Sequence, residues 1–398
     1  MHLLKTVRGW HSVCAMLFVV LFLGSCADHR DPQPGTYLVS STKVAEIPLA
    51  QLTALVTQTY PTYAPLLKYG ISAYRLVYKT KNWDGTTINA SGLLLIPATS
   101  VPVPMIGQQH GTVFNDDQSP SNFGPNSEAY LFGTIYSSDG FIIACPDYIG
   151  FGESKDLIHP YEHRASMAQA SLDMLRASRE YINANAAIKW DSRLYLAGYS
   201  EGGYATMSLY KKMQDEVPTE FNLRAVSAGA GAHHKTAFMY ALLTQPSSAN
   251  VEWNRGFLWV LLTYNQIYGT LRRPLEYYFK EPYLTDIKAN RELATLNVSF
   301  DQVLTDTFKT SILNGTDAAF LSALADNDVH NWKPLRPLLL IHGTADQRVY
   351  FLNSLNARNA MVAQGSTVVT LLPLPGKTHF ETIPDWLSNT FVFFQTVK

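Results

Sequence analysis

The chain has 398 residues, of which 46% are hydrophobic, and its formal net charge is -1. This length accommodates one large domain or two ordinary ones, and the hydrophobic fraction supports a sizeable core. Because the chain is nearly neutral and has no basic run beyond its N-terminus, nucleic acid is disfavoured as a partner.

The N-terminus has the organisation of an export signal. Lys5 and Arg8 form a basic region, and the apolar stretch at residues 13–23 is too short to span a membrane. The following Leu23-Gly24-Ser25-Cys26 resembles the lipobox of bacterial lipoproteins, which implies cleavage before Cys26 and acylation of its thiol. We therefore expect residues 1–26 to be a lipoprotein signal peptide and the mature protein to be anchored to a bacterial membrane, in the periplasm or at the cell surface. The alternative is an ordinary signal peptide with a cysteine near its cleavage site.

The cysteine count argues against an internal disulfide in the exported chain. Of the three cysteines, Cys14 lies in the signal and Cys26 would carry lipid, which leaves only Cys145. Cys145 lies in an apolar run, and we interpret it as a small buried hydrophobic residue rather than a nucleophile.

Strand-like and helix-like segments alternate along most of the chain. Eight strands are predicted, at residues 74–80, 87–96, 103–109, 141–145, 194–197, 223–229, 337–343 and 368–372. The predicted helices lie at residues 50–58, 128–137, 161–184, 205–213, 352–363 and 383–396. This alternation predicts an α/β fold with a mostly parallel sheet of about eight strands, covered by helices on both faces.

The alternation breaks over residues 230–334, which are rich in aromatic residues on helical-looking segments. We interpret this stretch, called the cap segment below, as a helical insertion above the C-terminal edge of the sheet. The predicted core is then divided into residues 27–229 and 335–398.

A Gly-x-Ser-x-Gly pattern, Gly198 to Gly202, joins the fifth predicted strand to a helix. A serine on such a sharp turn projects above the sheet edge, and the helix that follows directs its N–H groups at any oxyanion formed there. Ser200 is therefore the candidate nucleophile. The alternative is a glycine- and serine-rich loop without a catalytic role.

A serine hydroxyl needs a base, and the base needs an orienting carboxylate. His379 follows the last predicted strand, and Asp346 follows the strand before it, so both should lie at the same sheet edge as Ser200. The order Ser, Asp, His is the one expected for an α/β-hydrolase. Asp326 and Asp328 are rival carboxylates, but no strand end precedes them.

Two backbone N–H groups should form an oxyanion hole, and we expect them from Glu201 and Thr112, with Gly111 as the alternative to Thr112. Glu201 follows the nucleophile, and Thr112 follows the strand at residues 103–109. A carboxylate beside a developing oxyanion is unfavourable, so the Glu201 side chain must point away.

Taken together, these motifs resemble the α/β-hydrolase superfamily, and within it the secreted lipases and esterases of the fungal lipase A type and their bacterial relatives. The resemblance implies a serine hydrolase that cleaves carboxylic esters, with Ser200, Asp346 and His379 as its triad and a helical cap shaping the pocket. It rests on His110-Gly111-Thr112, Pro146-Asp147-Tyr148-x-Gly150-x-Gly152-x-Ser154, Gly198-Tyr199-Ser200-x-Gly202-Gly203, His342-Gly343-x-x-Asp346-x-x-Val349 and Gly376-x-x-His379.

We expect four residues around these motifs to line the substrate pocket: His110, Gly111, Tyr148 and Tyr199. No cofactor is expected. No metal site is expected either, because the adjacent His233 and His234 have no accompanying ligand spacing and neighbouring residues rarely bind one ion together. Two alternative functions stay open: a serine peptidase or amidase on the same fold, and a lipid-anchored binding protein without catalysis.

Overall fold

A nine-stranded sheet runs through residues 36–397, the part of the chain that the computed structural model describes. Its strands are β1 (Leu38–Ile47), β2 (Ile71–Lys81), β3 (Thr87–Pro97), β4 (Val103–Gln109), β5 (Ile142–Pro146), β6 (Trp190–Tyr199), β7 (Asn222–Gly229), β8 (Leu338–Gly343) and β9 (Val369–Leu374). They pair in the order β1-β2-β3-β5-β4-β6-β7-β8-β9. The six strands from β5 to β9 in that order are parallel, and the first three are antiparallel, so the predicted α/β fold is confirmed.

Eleven α-helices accompany the sheet in the described residues. They are α1 (Leu49–Thr59), α2 (Thr134–Asp139), α3 (Arg164–Ala184), α4 (Glu201–Glu216), α5 (Lys235–Thr244), α6 (Val251–Ile267), α7 (Tyr283–Asn290), α8 (Asp306–Leu313), α9 (Ala318–Asp326), α10 (Leu352–Ala363) and α11 (Ile383–Thr396). Side chains alternate across the central strands: Leu194 and Leu196 pack with α3 and α4, whereas Tyr195 and Ala197 pack with α11. Both sheet faces are therefore buried, which explains the continuous apolar runs of the parallel strands.

Strand β1 is one more than the eight strands predicted. Its sequence alternates weakly and most of its residues are exposed, because it lies at the edge of the sheet and pairs only with β2. Backbone hydrogen bonds rather than apolar burial hold it, so hydrophobic periodicity did not reveal it.

The five helices α5 to α9 lie between β7 and β8, within the cap segment, and their residues form a hydrophobic cluster distinct from the two that sandwich the sheet. Phe257, Phe300, Phe308 and Phe320 are among its buried members. Helix α3 begins at Arg164, three residues later than predicted.

Among residues 36–397, we find no helix that combines the length and hydropathy needed to cross a membrane. The predicted signal peptide and Cys26 lie outside the described residues.

Candidate active site

Ser200 lies on the turn between β6 and α4, with a strained backbone conformation of φ 60° and ψ -124°. Its N–H donates to the carbonyl of Gly229 on the neighbouring strand β7, at 2.9 Å. A Cβ placed on Gly202 would lie 2.1 Å from the carbonyl oxygen of Gln109, so only glycine lets the first turn of α4 approach the end of β4 this closely. The Gly-x-Ser-x-Gly pattern thus brings the nucleophile candidate and the predicted oxyanion segment together.

Ser200, His379 and Asp346 form one hydrogen-bonded chain. His379 Nε2 lies 2.9 Å from Ser200 Oγ, and His379 Nδ1 lies 2.6 Å from Asp346 Oδ2. Asp346 and His379 are buried and Ser200 is nearly so. Nδ1 must donate to the carboxylate, which leaves the Nε2 lone pair free to accept the serine proton.

The turn after β8 fixes the Asp346 carboxylate. Its Oδ1 accepts hydrogen bonds from the N–H groups of Arg348 and Val349, both at 2.9 Å, and its Oδ2 lies 3.2 Å from His342 Nε2. Burial alone would raise the pKa of Asp346, but the hydrogen bonds with His342 and His379 outweigh burial and hold the pKa well below its usual range. Asp346 therefore stays ionised.

Burial also determines the charge of His379. It lowers the pKa of the imidazole, and the hydrogen bond with Asp346 opposes this shift without cancelling it. His379 is therefore neutral at pH 7, the state in which it can accept a proton.

The rival carboxylates are engaged elsewhere. Asp326 pairs with the Arg164 guanidinium at 2.9 Å, and Asp328 accepts hydrogen bonds from the backbone and hydroxyl of Thr236. Asp346 is the carboxylate that the structure brings to His379.

The N–H groups of Thr112 and Glu201, the two predicted oxyanion donors, differ in hydrogen bonding from that of Gly111, the alternative donor. Within residues 36–397, the N–H groups of Thr112 and Glu201 donate to no other protein atom, whereas the Gly111 N–H donates to Glu128 Oε2 at 2.8 Å. Burial raises the pKa of Glu128, and the hydrogen bond from Gly111 opposes that shift. Gly111 is thus occupied by a half-buried carboxyl group that sequence reasoning did not single out.

The Glu201 carboxylate points at His159, with Oε1 lying 2.9 Å from Nε2, and both side chains are buried. This contact answers the concern about a carboxylate beside the oxyanion. His159 was not among the predicted residues, and no spacing or periodicity marks it.

The profile of one protein family matches residues 129–388, and it is described as secretory lipase. The chain belongs to the secretory lipase family. It is therefore a carboxylic ester hydrolase, and the family description agrees with the export signal expected from the sequence. No sequence among the curated proteins matches the chain.

Several solved structures share the fold of this chain. A protein from Legionella pneumophila described as a hydrolase has a TM-score of 0.80 at 24% identity, covering 91% of this chain and 98% of its own. The rice cell wall degrading esterase LipA from Xanthomonas oryzae has a TM-score of 0.75 at 22% identity, covering 90% and 96%. Candida antarctica lipase A has a TM-score of 0.63 at 17% identity, covering 89% and 82%. All three show the α/β-hydrolase fold.

Beside Ser200, the enzyme has a cavity of about 40 Å³. Charged groups also line it, namely Arg348 and the buried ion pair of Glu162 with Lys235. Burial raises the pKa of Glu162 and lowers that of Lys235, and their mutual contact opposes both shifts. The apolar part of the cavity wall comes from α5, α6 and α9 of the cap segment. It consists of Phe238, Met239, Leu242, Phe257, Val260 and Leu324.

The four predicted pocket residues lie outside the lining of this cavity. Tyr148 is buried and its hydroxyl donates to the carbonyl of His110 at 3.1 Å, while the two rings lie 4.1 Å apart. The Tyr199 hydroxyl donates to the carbonyl of His379 at 2.5 Å. Gly111 lies near Ser200, since a Cβ built on it would be 3.8 Å from Ser200 Cβ. Apart from Gly111, these residues brace the ends of β4 and the His379 loop.

One histidine cluster joins the two ends of the cap segment. His234 and His330 stack with ring centroids 3.5 Å apart, and Asp328 lies close enough to complete a three-ligand group. Burial, followed by the neighbouring His234, lowers the pKa of His330 to about 4. The in-plane lone pairs of two stacked neutral imidazoles run side by side rather than converging on one centre, and the His234 Nδ1 lone pair already accepts from Asn356 at 3.0 Å. We therefore treat the cluster as a packing contact.

Proposed function

We propose that the enzyme cleaves carboxylic esters through an acyl-enzyme formed on Ser200. Ser200 Oγ attacks the ester carbonyl carbon while His379 Nε2 accepts the hydroxyl proton, and Asp346 stabilises the resulting imidazolium. The N–H groups of Glu201 and Thr112 stabilise the oxyanion of the tetrahedral intermediate. The C–O bond to the alcohol then breaks as His379 returns its proton to the leaving oxygen. Water, activated by the same imidazole, releases the carboxylic acid.

The observation that carries this proposal is the unbroken chain from Ser200 Oγ through His379 to the Asp346 carboxylate, at 2.9 and 2.6 Å. The neutral base and the ionised acid are both required by the mechanism and are both favoured by the pKa shifts described above. The unpaired N–H groups of Glu201 and Thr112 add the donors that the intermediate needs.

We also propose that residues 230–334 act as a cap and that the acyl group lies in the cavity beneath it. A cavity of about 40 Å³ holds roughly three water-sized groups. Such a volume suits short acyl chains, so the proposed substrates are short-chain esters.

The deciding experiment is hydrolysis of p-nitrophenyl acetate by the purified protein and by Ser200→Ala. We expect Ser200→Ala to lose all turnover above background, because no other group supplies the nucleophile. Ser208→Ala is the matched control, since Ser208 is a buried serine of α4 whose hydroxyl donates to the carbonyl of Tyr204 in its own helix. Undiminished hydrolysis by Ser200→Ala would overturn the proposal. Labelling of Ser200 by a fluorophosphonate without ester turnover would favour the amidase or peptidase alternative.

We further propose that Cys26 carries the lipid anchor suggested by its lipobox-like sequence. Incorporation of a labelled fatty acid in a bacterial host should be lost in Cys26→Ala and retained in Cys14→Ala. Equal labelling of both variants would contradict the anchor.

A further inference from the structure

The carboxylate that follows the nucleophile is unfavourable for an oxyanion site, because a negative charge one residue away opposes the charge that develops there. In this enzyme the Glu201 side chain is buried at 1% exposure and bonds to a histidine that is buried at 4%. An unpaired carboxylate in such surroundings would be costly. The histidine that bonds to Glu201 must therefore compensate its charge as well as pack against it.

The number of protons in this pair follows from its contacts. His159 Nδ1 lies 2.7 Å from the carbonyl oxygen of Ile149, and a carbonyl can only accept, so Nδ1 carries a proton. The contact of Nε2 with Glu201 Oε1 then holds a second proton, located on either atom. In both arrangements the pair has no net charge.

The loop at residues 147–154 holds His159 in place. Gly150 has a φ of 92°, and a Cβ on it would lie 2.6 Å from the backbone N and Cα of His159. The rings of Phe151 and Tyr148 pack against the imidazole, and Trp259 of the cap segment contacts its edge with centroids 5.2 Å apart. The buried cations of the neighbouring cavity are already paired, Lys235 with Glu162 and Arg348 with Glu252. His159 is thus the group that the fold offers to Glu201.

We propose that His159 is a positioning residue that neutralises the Glu201 carboxylate and turns it away from the oxyanion, so that the Glu201 N–H can act as a donor. This inference rests on the proposed function, since it assumes that the Glu201 N–H faces the intermediate. It also gives a positioning role to the motif at residues 146–154, whose Gly150 lets His159 approach closely.

The test is a double-mutant comparison of kcat and KM for p-nitrophenyl acetate. In His159→Gln, the amide can still donate one hydrogen bond but cannot carry a positive charge, so an ionised Glu201 is left without a compensating charge. We expect kcat to fall about a hundredfold, within the range known for losing one oxyanion donor. KM should change less than threefold, because the carbonyl of the ground state is uncharged.

Removing the charge of Glu201 should restore most of the kcat that His159→Gln loses. We expect Glu201→Gln to cost less than His159→Gln, and the double variant His159→Gln/Glu201→Gln to recover at least tenfold of the lost kcat. A merely structural role of His159 would give no recovery, because the double variant removes two side chains instead of one. His163→Gln, which removes another buried histidine of the same segment, serves as the control and should stay within about twofold of the wild type.

Each outcome decides the proposal. Wild-type kcat in His159→Gln, or a double variant no faster than His159→Gln, would overturn it. If His159→Gln does not fold, Glu201→Gln is compared with the double variant: a difference below about threefold supports the proposal, and one above thirtyfold overturns it. Activity of Ser200→Ala would instead show that the proposed function itself is wrong.

Discussion

The two regions that meet at Ser200 are built on different principles. At the C-terminal edge of the sheet, Ser200, Asp346 and His379 each follow a strand within a few residues, and main-chain hydrogen bonds hold their turns. In the cap segment, the apolar part of the cavity wall comes from side chains of three helices, and no short motif contains more than a few of them. In the proposed function, this edge of the sheet supplies the reacting groups and the cap segment supplies the volume of the acyl site.

This difference predicts which substitutions should alter kcat and which should alter the preference among esters. Proton transfer requires donors and acceptors within a few tenths of an ångström, so the edge tolerates little displacement. An apolar cavity selects its ligand by size and tolerates repacking. We therefore expect changes at the edge to lower kcat for every ester, and changes in the cap to alter the preference among esters.

The largest effect should come from Asp346→Asn. The amide cannot stabilise the imidazolium and favours the wrong tautomer of His379, so kcat should fall about 10⁴-fold for all esters alike. Asp326→Asn is the matched control in the cap segment, because Asp326 makes a partly exposed ion pair with Arg164. The control should stay within about twofold of the wild type. Comparable losses in both variants would mean that the triad acid has been misassigned.

Gly202→Ala should have the next largest effect. The added methyl group would lie 2.1 Å from the carbonyl oxygen of Gln109, so α4 and the end of β4 must separate. We expect the oxyanion donors to move apart, which should lower kcat about 10²–10³-fold and also lower Tm. Gly269→Ala in the cap segment meets no atom within 4 Å and should leave kcat and Tm nearly unchanged. A fully active Gly202→Ala enzyme would contradict the close approach.

Much of the edge could be predicted from the sequence because its geometry is local. The Ser200 turn, the strand ends before Asp346 and His379, and the order of these residues are all legible in short windows. The fold followed from the alternation of strands and helices. Strand β1 was not predicted, because its pairing with β2 does not depend on an apolar pattern.

The supporting residues of the site could not be predicted, because they reach it from distant parts of the chain. His159 is 42 residues before Glu201, and Glu128 is 17 residues after Gly111. Neither lies on a periodic face or in a spacing with a known mechanism. The predicted pocket residue Tyr148 instead bonds to the carbonyl of His110, and its backbone has a positive φ of 65° that no sequence pattern indicated.

The pH dependence of kcat/KM should be determined by His379 and not by the cap segment. His379 must be neutral to accept the Ser200 proton, and burial lowers its pKa below the ordinary value of 6.5. Activity should therefore be complete at pH 7 and fall as the pH drops through the pKa of His379, by about tenfold per pH unit below it. The acid limb of kcat/KM for p-nitrophenyl acetate and butyrate should have the same midpoint. A midpoint above pH 6.5, or one that changes with the ester, would contradict this assignment.

The smallest and most selective effect should come from the cap. Leu242 and Leu243 are neighbouring buried leucines of α5, but only Leu242 lines the cavity beside Ser200. Both Leu→Ala substitutions should lower stability, by roughly 2–5 kcal/mol, so stability cannot distinguish them. Leu242→Ala should in addition make room for a longer acyl chain.

Each buried methylene contributes about 0.8 kcal/mol, so two more of them should raise the hexanoate-to-butyrate ratio of kcat/KM about tenfold in Leu242→Ala. Leu243→Ala should keep the wild-type ratio. A p-nitrophenyl ester series from acetate to palmitate measures this ratio directly, and the wild-type optimum should lie at butyrate or shorter. A wild-type preference for palmitate would mean that the acyl chain lies elsewhere or that the cap segment opens. Equal ratios in the two leucine variants would mean that the cavity wall affects stability but not the choice of acyl chain. The cap segment would then not determine the preference among esters.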